Sequence, residues 1–373
     1  MEKYGRKLVD LIYVGRLEPE KRLDTIIRTA GYAKKKRKKL SICVVGEGSQ
    51  RTWFRRRVQN LRLSEYFQII GPVTDPREYI RRAKILVLPS DYEALPTVIL
   101  EAADLGVPSI ISNFSGADEV VINEKTGWIV KNRSDFGPST LAVLEDSRRV
   151  EVVGRAAKAF IREKYSSINI DQFIEHLIAT EDEVAEQEIS LVIPYWSLGI
   201  GGIETRIMDI AKRLKSKYPR VRLSLLLKRQ YPIGMKLPNS DNLNIRYFSQ
   251  DIKAGRQATF AWWCLKNIVL HQPPPTIILG FLNRFAAVAV ISATLLRLRG
   301  RQTKAIISQE SQLSAYLNHH EARIWKAFVP MIYNRANKIL TLSNATKADL
   351  LRFGIRPEKV FVVNGWIPQR DEF

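Results

Sequence analysis

What most constrains this chain is an alternation that runs its length: short apolar runs, bounded by glycine, proline and other turn residues, separated by stretches of helical period. Runs at 9–14, 40–45, 67–70, 85–88 and 109–111 read as strands, and 19–33, 52–61, 75–82 and 97–105 as helices. Strands joined by helical crossovers imply a parallel sheet covered on both faces. Helical patterns then fill 139–164 and 170–185 and end in the acidic run 181–188. At Ile189 the alternation starts afresh, with strands at 189–194, 222–227, 276–279, 304–307, 338–342 and 360–363 and helices that include 204–217, 285–298 and 324–334. The expected fold is α/β, two Rossmann-like doubly wound parallel-sheet domains over 1–180 and 189–373, joined by the acidic linker 181–188. A length of 373 residues suits two domains.

Composition narrows the setting. Apolar residues make up 45% of the chain, enough for packed cores and against disorder. The only cysteines are Cys43 and Cys264, so a disulfide framework is not expected and a cytoplasmic setting is. The chain opens without an apolar run, so no signal peptide is expected. The longest apolar stretch, 285–296, is about half of what a membrane span needs. Net charge is +21 and lopsided: residues 1–188 carry 31 basic and 28 acidic side chains, whereas 189–373 carry 28 and 10. A one-sided cationic field favours an anionic partner: nucleic acid, a lipid surface or a phosphorylated substrate.

Chemistry is expected at the carboxyl ends of the strands, where such sheets bind ligands. Strand 85–88 runs into a loop that carries Glu93, followed by a helix from about Thr97 that carries Glu101. A loop carboxylate there can accept hydrogen bonds from sugar hydroxyls, a helix carboxylate can take a ribose diol, and the first helix amides can approach an anion. On spacing alone, two surface carboxylates flanking an amphipathic helix is the plainer reading. Strand 9–14 leads into a turn with Arg16 and a helix start with Lys21. Cations at the positive end of a helix point to a compensating anion such as a diphosphate, or else to a solvated turn. Val45–Gly48 and Gly71–Asp75 add further glycine-bearing strand ends. No Asp-x-Asp lies at a strand end to hold a metal–diphosphate complex, no Cys/His cluster has zinc spacing, and no Gly-x-Ser-x-Gly turn occurs. No cofactor or metal is therefore expected. The run 34–39 reads as a solvated helix end, and with no nucleic-acid module visible, nucleic acid is not expected as a partner.

Taken together, Tyr13–Lys21, Val45–Gly48, Gly71–Asp75, the Glu93/Glu101 pair, Ser112–Glu119 and Thr126–Val130 resemble the donor-binding domain of family 4 glycosyltransferases, retaining enzymes of the GT-B fold, in which two Rossmann-like domains face a cleft. The resemblance covers nearly all of 8–178. It implies that Arg16 and Lys21 hold the diphosphate of a nucleotide-sugar donor, that Glu93, Ala94, Leu95, Pro96 and Thr97 hold the transferred sugar, that Glu101 takes the ribose, and that Gly71, Pro72 and Val73 line the base. The nucleotide sugar is then a substrate. Residues 193–204, with Gly201 and Gly202, resemble the glycine-rich loop that faces the donor phosphates in the acceptor domain, and 336–343 and 360–365 resemble its last strands.

Two departures qualify this. Many members place a histidine after the strand equivalent to 304–307, where this chain has Ser308, Gln309, Glu310 and Ser311; Gln309, Glu310 and Asn283 are the acceptor-side residues it offers. The domain order is also reversed, donor half first, as in a circular permutation; a slice of a tandem enzyme that binds donor without transferring it is the alternative. A sugar-nucleotide epimerase shares the fold. The expected acceptor is a glycan or lipid-linked sugar, met by a protein peripheral on the inner face of the cell membrane, its basic half against the anionic surface, with Trp262, Trp263 and Trp325 as anchors if exposed and core residues otherwise.

Overall fold

A computed structural model describes residues 9–73, 75–178, 189–195, 202–228, 243–248, 257–316 and 322–367. The chain divides after Ser166 into two compact units. The first unit runs β1 (Val9–Val14), α1 (Leu23–Lys35), β2 (Ile42–Val45), α2 (Arg51–Asn60), β3 (Phe67–Ile70), α3 (Arg77–Arg81), β4 (Ala83–Leu88), α4 (Thr97–Asp104), β5 (Ser109–Ser112), α5 (Ala117–Val120), β6 (Gly127–Val130), α6 (Phe136–Glu145) and α7 (Ser147–Lys164). Its six strands are all parallel, in the order β3-β2-β1-β4-β5-β6. The chain steps outward from β1 to β3, then returns to the other side of β1 as β4. The order therefore reverses between β1 and β4, the place where such sheets bind ligands.

The strands are mostly apolar because helices cover both faces, and Leu11, Ile12, Ile85 and Ile110 have no exposure; the charges Asp10 of β1 and Lys84 of β4 pair with each other at 2.7 Å. In α1, Leu23, Ile26, Ile27, Ala30 and Ala33 are buried at helical spacing and put one face on the sheet. The helix expected from residue 19 begins later. Pro19–Lys21 is a 3-10 turn, and Arg22, in a left-handed conformation (φ 52°), separates it from α1. Lys21 therefore lies before the helix and not in its first turn. The pattern 139–164 is likewise two helices, broken at Asp146, which caps α7 by accepting from the Arg149 amide at 2.9 Å.

In the second unit, α8 (Ile168–Leu177), β7 (Ile189–Tyr195), α9 (Gly202–Lys217), β8 (Val221–Leu227), β9 (Leu243–Tyr247), α10 (Gln257–Val269), β10 (Ile277–Phe281), α11 (Leu282–Leu298), β11 (Lys304–Gln309), α12 (Leu313–Tyr316), α13 (Ala322–Tyr333), β12 (Lys338–Thr341), α14 (Asn344–Arg352) and β13 (Val360–Val362) form a seven-stranded parallel sheet with its helices. Its order is β13-β12-β11-β10-β7-β8-β9, with the reversal between β7 and β10. The expected α/β fold of two parallel-sheet domains is what forms. Strand β9, at the sheet edge, has no counterpart in the sequence reading.

Helix α8 precedes the linker expected at 181–188, itself outside the described residues, yet it packs in the second unit. Ile170, Phe173, Ile174 and Leu177 lie in that unit's core. Phe173 meets Trp366 edge to face, the Asn169 amide donates to the Gly365 carbonyl at 2.8 Å, and Arg213 of α9 donates to Asp171 at 2.7 Å. Among the described residues no helix is long and apolar enough to cross a membrane.

Candidate functional site

Beyond the carboxyl ends of β1, β2 and β4, three loops are laced together by backbone hydrogen bonds: Gly15 N–H to the Val45 carbonyl (3.1 Å), Leu17 to Glu47 (2.8 Å), Gln50 to Leu17 (2.8 Å) and Asp91 to Glu20 (2.8 Å). The close approach of the β1 and β2 loops requires glycine at two places. A Cβ on Gly46 would lie 1.9 Å from the Gly15 carbonyl oxygen, and one on Gly48 2.5 Å from that of Leu17. The turn after β1 is also held from below. Tyr13, fully buried, donates its hydroxyl to the Arg16 carbonyl at 2.7 Å. Burial, with the negative charge of Glu93 added, pushes its phenol well above the ordinary tyrosine range, so it stays a neutral donor.

This frame brings together residues far apart in sequence. Lys21 Nζ lies 2.7 Å from Glu93 Oε1, and both side chains are more than four-fifths buried. Ser90 Oγ donates to the same carboxylate oxygen at 2.7 Å. Lys21 comes from the loop after β1 and Glu93 from the loop after β4, so the pair stands at the reversal of the strand order. Arg16 points to solvent beside Glu20, 3.3 Å away. Arg22 lies 3.8 Å from Asp91, which also pairs with Arg133. Burial first, and then the neighbouring Arg22, lower the Arg133 pKa. The site is thus a mixed cluster in which carboxylates hold several cations at one sheet edge.

Of the other expected donor-side residues, Leu95 and Pro96 are buried, Ala94 and Thr97 are half-buried, and Thr97 opens α4. Glu101 lies one turn into α4 and is 5% exposed. Gly71 and Val73 are half-buried and Pro72 is exposed at the end of β3, on the same sheet edge. Sequence reasoning missed Ser90, Tyr13 and the Asp91–Arg22–Arg133 group. The signal for the first was available, since Ser90 stands three residues before Glu93 at the strand end.

In the second unit Gly202 opens α9, while Gly201 and the side chain of Asn283 lie outside the described residues. Gln309 has no exposure: its amide nitrogen donates to the Ser311 carbonyl (2.6 Å) and its oxygen accepts from the Tyr333 hydroxyl (2.6 Å). Both ends of that amide serve the fold. Glu310 is buried 3.5 Å from Arg206, which is 2% exposed, and Ser308 donates to it at 3.2 Å. Burial raises the Glu310 pKa, and Arg206 pulls it back. Arg206 also lies over the Trp366 ring, 5.6 Å from its centroid. Both cysteines are buried free thiols, Cys43 pushed up to about 11 by burial.

Residues 4–160 match the family model of glycosyl transferases group 1, and residues 200–368 match that of Glycosyltransferase Family 4. A glycogen synthase of Mycobacterium tuberculosis is 33% identical over 153 residues, which cover 40% of this chain and 37% of that protein. The capsular polysaccharide biosynthesis glycosyltransferase CapM of Staphylococcus aureus is 26% identical over 186 residues, 48% of this chain and 49% of its own length. The chain thus spans less than half the length of these curated relatives. Among solved structures, S. aureus TarM aligns with a TM-score of 0.45 at 22% identity, over 48% of this chain and 36% of that one. The C-terminal domain of the group 1 protein LpcC of Francisella tularensis aligns with a TM-score of 0.38 at 20% identity, over 42% and 85%.

Proposed function

We propose that this chain, whose first half carries a glycosyl transferases group 1 domain and whose second half a Glycosyltransferase Family 4 domain, transfers a sugar from a nucleotide-diphosphate donor to a glycan or lipid-linked acceptor with retention of configuration. The observation that carries the donor half of this reading is the Lys21–Glu93 pair at the reversal of the six-stranded sheet. The mostly buried ammonium of Lys21 and the solvent-facing guanidinium of Arg16 meet the diphosphate. Negative charge grows there as the glycosidic bond breaks, and preorganised cations stabilise it without a metal ion. Glu93, released from Lys21 to accept hydroxyl hydrogens, holds the sugar with the backbone of 94–97. Glu101 takes the ribose diol, and Gly71–Val73 line the base.

The reversed order of the two family domains supports a permuted enzyme in which one chain supplies both the donor and acceptor halves of the reaction. The cationic second half faces an anionic lipid surface that carries the acceptor.

The test is transfer from a panel of nucleotide sugars, with the anomeric configuration of the product read by NMR. Activity should survive EDTA. Arg16→Ala with Lys21→Ala should lower turnover ~100-fold or more, the usual loss for one preorganised donor. Abolition by EDTA, an inverted product, or full activity of the double variant each defeats a named part of the proposal.

A further inference from the structure

The second unit's charge is unevenly laid out. From Ile252 to Gln309 the sequence contains no aspartate or glutamate, and neither does α13. Three helices from these segments, α10, α11 and α13, lie side by side with α11 in the middle, packed on β10 and β11. Their inward faces are core: Phe260, Cys264, Ala286, Ala289, Ala293 and Val329 are buried. Their outward faces are not uniformly polar, as a helix bordering water ordinarily is, but mix large apolar side chains with cations. Trp262 of α10 is 66% exposed. On α11, Ile291, Leu295 and Leu298 follow one another at one-turn spacing in the open, Leu298 at 79%. On α13, Phe328 and Met331 are about half exposed. Lys266, one turn from Trp262, is exposed, as are Arg284, Arg299 and Lys326 on or beside the same helices. The tryptophan expected either buried or as an anchor is thus open at Trp262, while Trp263 stacks on Phe260 at 5.8 Å; the side chain of Trp325 lies outside the described residues.

We propose that the outward face of α10, α11 and α13 is the surface by which this protein docks on an anionic phospholipid bilayer, the apolar side chains entering the headgroup region and the cations meeting lipid phosphates. Exposed apolar patches rimmed by polar residues mark interaction sites, and the chemistry on this face selects among partners. Nucleic acid would engage the cations and leave the leucines and aromatics in water. A second copy of the same face would set cations against cations with no carboxylate on the three helices to pair them. An anionic leaflet satisfies both sets of groups, as with amphipathic helices that lie in the membrane interface. This deepens, and rests on, the reading of the cationic half as the lipid-facing side; it does not depend on which sugar moves.

The experiment is flotation of the full chain with vesicles of phosphatidylcholine alone or mixed with phosphatidylglycerol, at low and high salt. Binding should require the anionic lipid. Each cation near such a surface contributes about fivefold in partition, so Lys266→Glu, Arg284→Glu and Lys326→Glu together should lower partition by ~100-fold or more. Charge reversal at Lys215 and Arg220, on other elements of the same unit, should have much less effect. Trp262→Ser with Leu298→Ser should remove the binding that survives high salt, and Trp262→Phe should reduce quenching by brominated lipid. Equal recovery on both vesicle types, no recovery on either, or equal loss from the two sets of charge reversals overturns the assignment. Melting curves and nucleoside diphosphate binding of each variant keep misfolding apart from lost docking. A chain that floats as described but binds no nucleoside diphosphate overturns the transfer reading and leaves this one standing; the reverse result does the opposite.

Discussion

Removing the ammonium of Lys21 separates a structural strut from a site. Lys21 Nζ and Glu93 Oε1 are 2.7 Å apart, with side chains 14% and 13% exposed. At an effective dielectric constant of about 20, their gross attraction is about 6 kcal/mol. Taking two ions almost out of water offsets most of this, so the net contribution of the intact pair is small. Lys21→Ala is different, because it leaves a mostly buried carboxylate without its cation. That loss falls between the ~0–1 kcal/mol of an exposed pair and the ~3–5 kcal/mol of a fully buried one. Ser90 still donates to the same oxygen, which keeps the loss near 2 kcal/mol and lowers Tm by about 4–8 °C for a unit of this size. Lys21→Ala with Glu93→Gln, which removes both charges, should recover most of that loss, as the double-mutant cycle for a coupled pair requires. Turnover should not recover, because the Lys21 ammonium no longer meets the leaving diphosphate and the carboxylate that holds the sugar is gone. Thermal melts with and without nucleoside diphosphates, beside steady-state transfer rates, give both numbers. If Lys21→Ala lowers Tm while nucleoside diphosphate affinity and turnover stay at wild-type levels, the pair is a strut and the site lies elsewhere.

Three further outcomes are expected. Gly46→Ala puts a methyl group 1.9 Å from the Gly15 carbonyl oxygen and should destabilise by about 3 kcal/mol in denaturant unfolding, whereas Gly106→Ala, left-handed but with open space, should cost about 1 kcal/mol. The Asp171 carboxyl is held below its ordinary 3.8 by the hydrogen bond from Arg213. Its stabilisation is therefore present above that value and is lost as pH falls through the lower folded one; amide exchange in α8 should rise only in that acid window, and Asp171→Asn should remove the transition. If one chain supplies both halves of the reaction, specific activity should not change from nanomolar to micromolar enzyme, and Glu101→Ala chains should not be rescued by chains damaged at Gly202; rescue on mixing would show that the halves work between chains.

What the sequence made legible follows from how each signal is written. Buried parallel strands must be largely apolar on both faces, so β1, β2, β4 and β5 stand out as short runs rich in apolar residues, and the helices between them dictate parallel pairing. Residues at strand ends, Lys21 and Glu93 among them, could be marked singly for the same reason. Their pairing could not, because it depends on β1 and β4 being neighbours, a contact across 72 positions that no local pattern encodes. Local backbone breaks were hidden too. Helical period runs through Arg22 and Asp146 although each interrupts its helix, since apolar spacing reports which face is buried and not where hydrogen bonds stop.

Helix α8 shows the same limit at the level of domains. Its amphipathic pattern says that one face is buried, and its place before an acidic run invites assignment to the first unit. Only Trp366, Gly365 and Arg213, contributed from elsewhere in the chain, decide that it belongs to the second. The polar residues at the end of β11 show the same limit at the level of single side chains. A glutamine and a glutamate at a strand end look like ligand contacts, but a buried strand end must first satisfy its own polar groups. Tyr333 and Ser311 take the Gln309 amide. Glu310 and Arg206 are instead two charges held out of water beside an indole ring, where neutralising either one removes the attraction between them. Glu310→Gln should thus shift stability in step with Arg206→Met and much less in the double variant. A purely additive result would show that the two charges do not depend on each other.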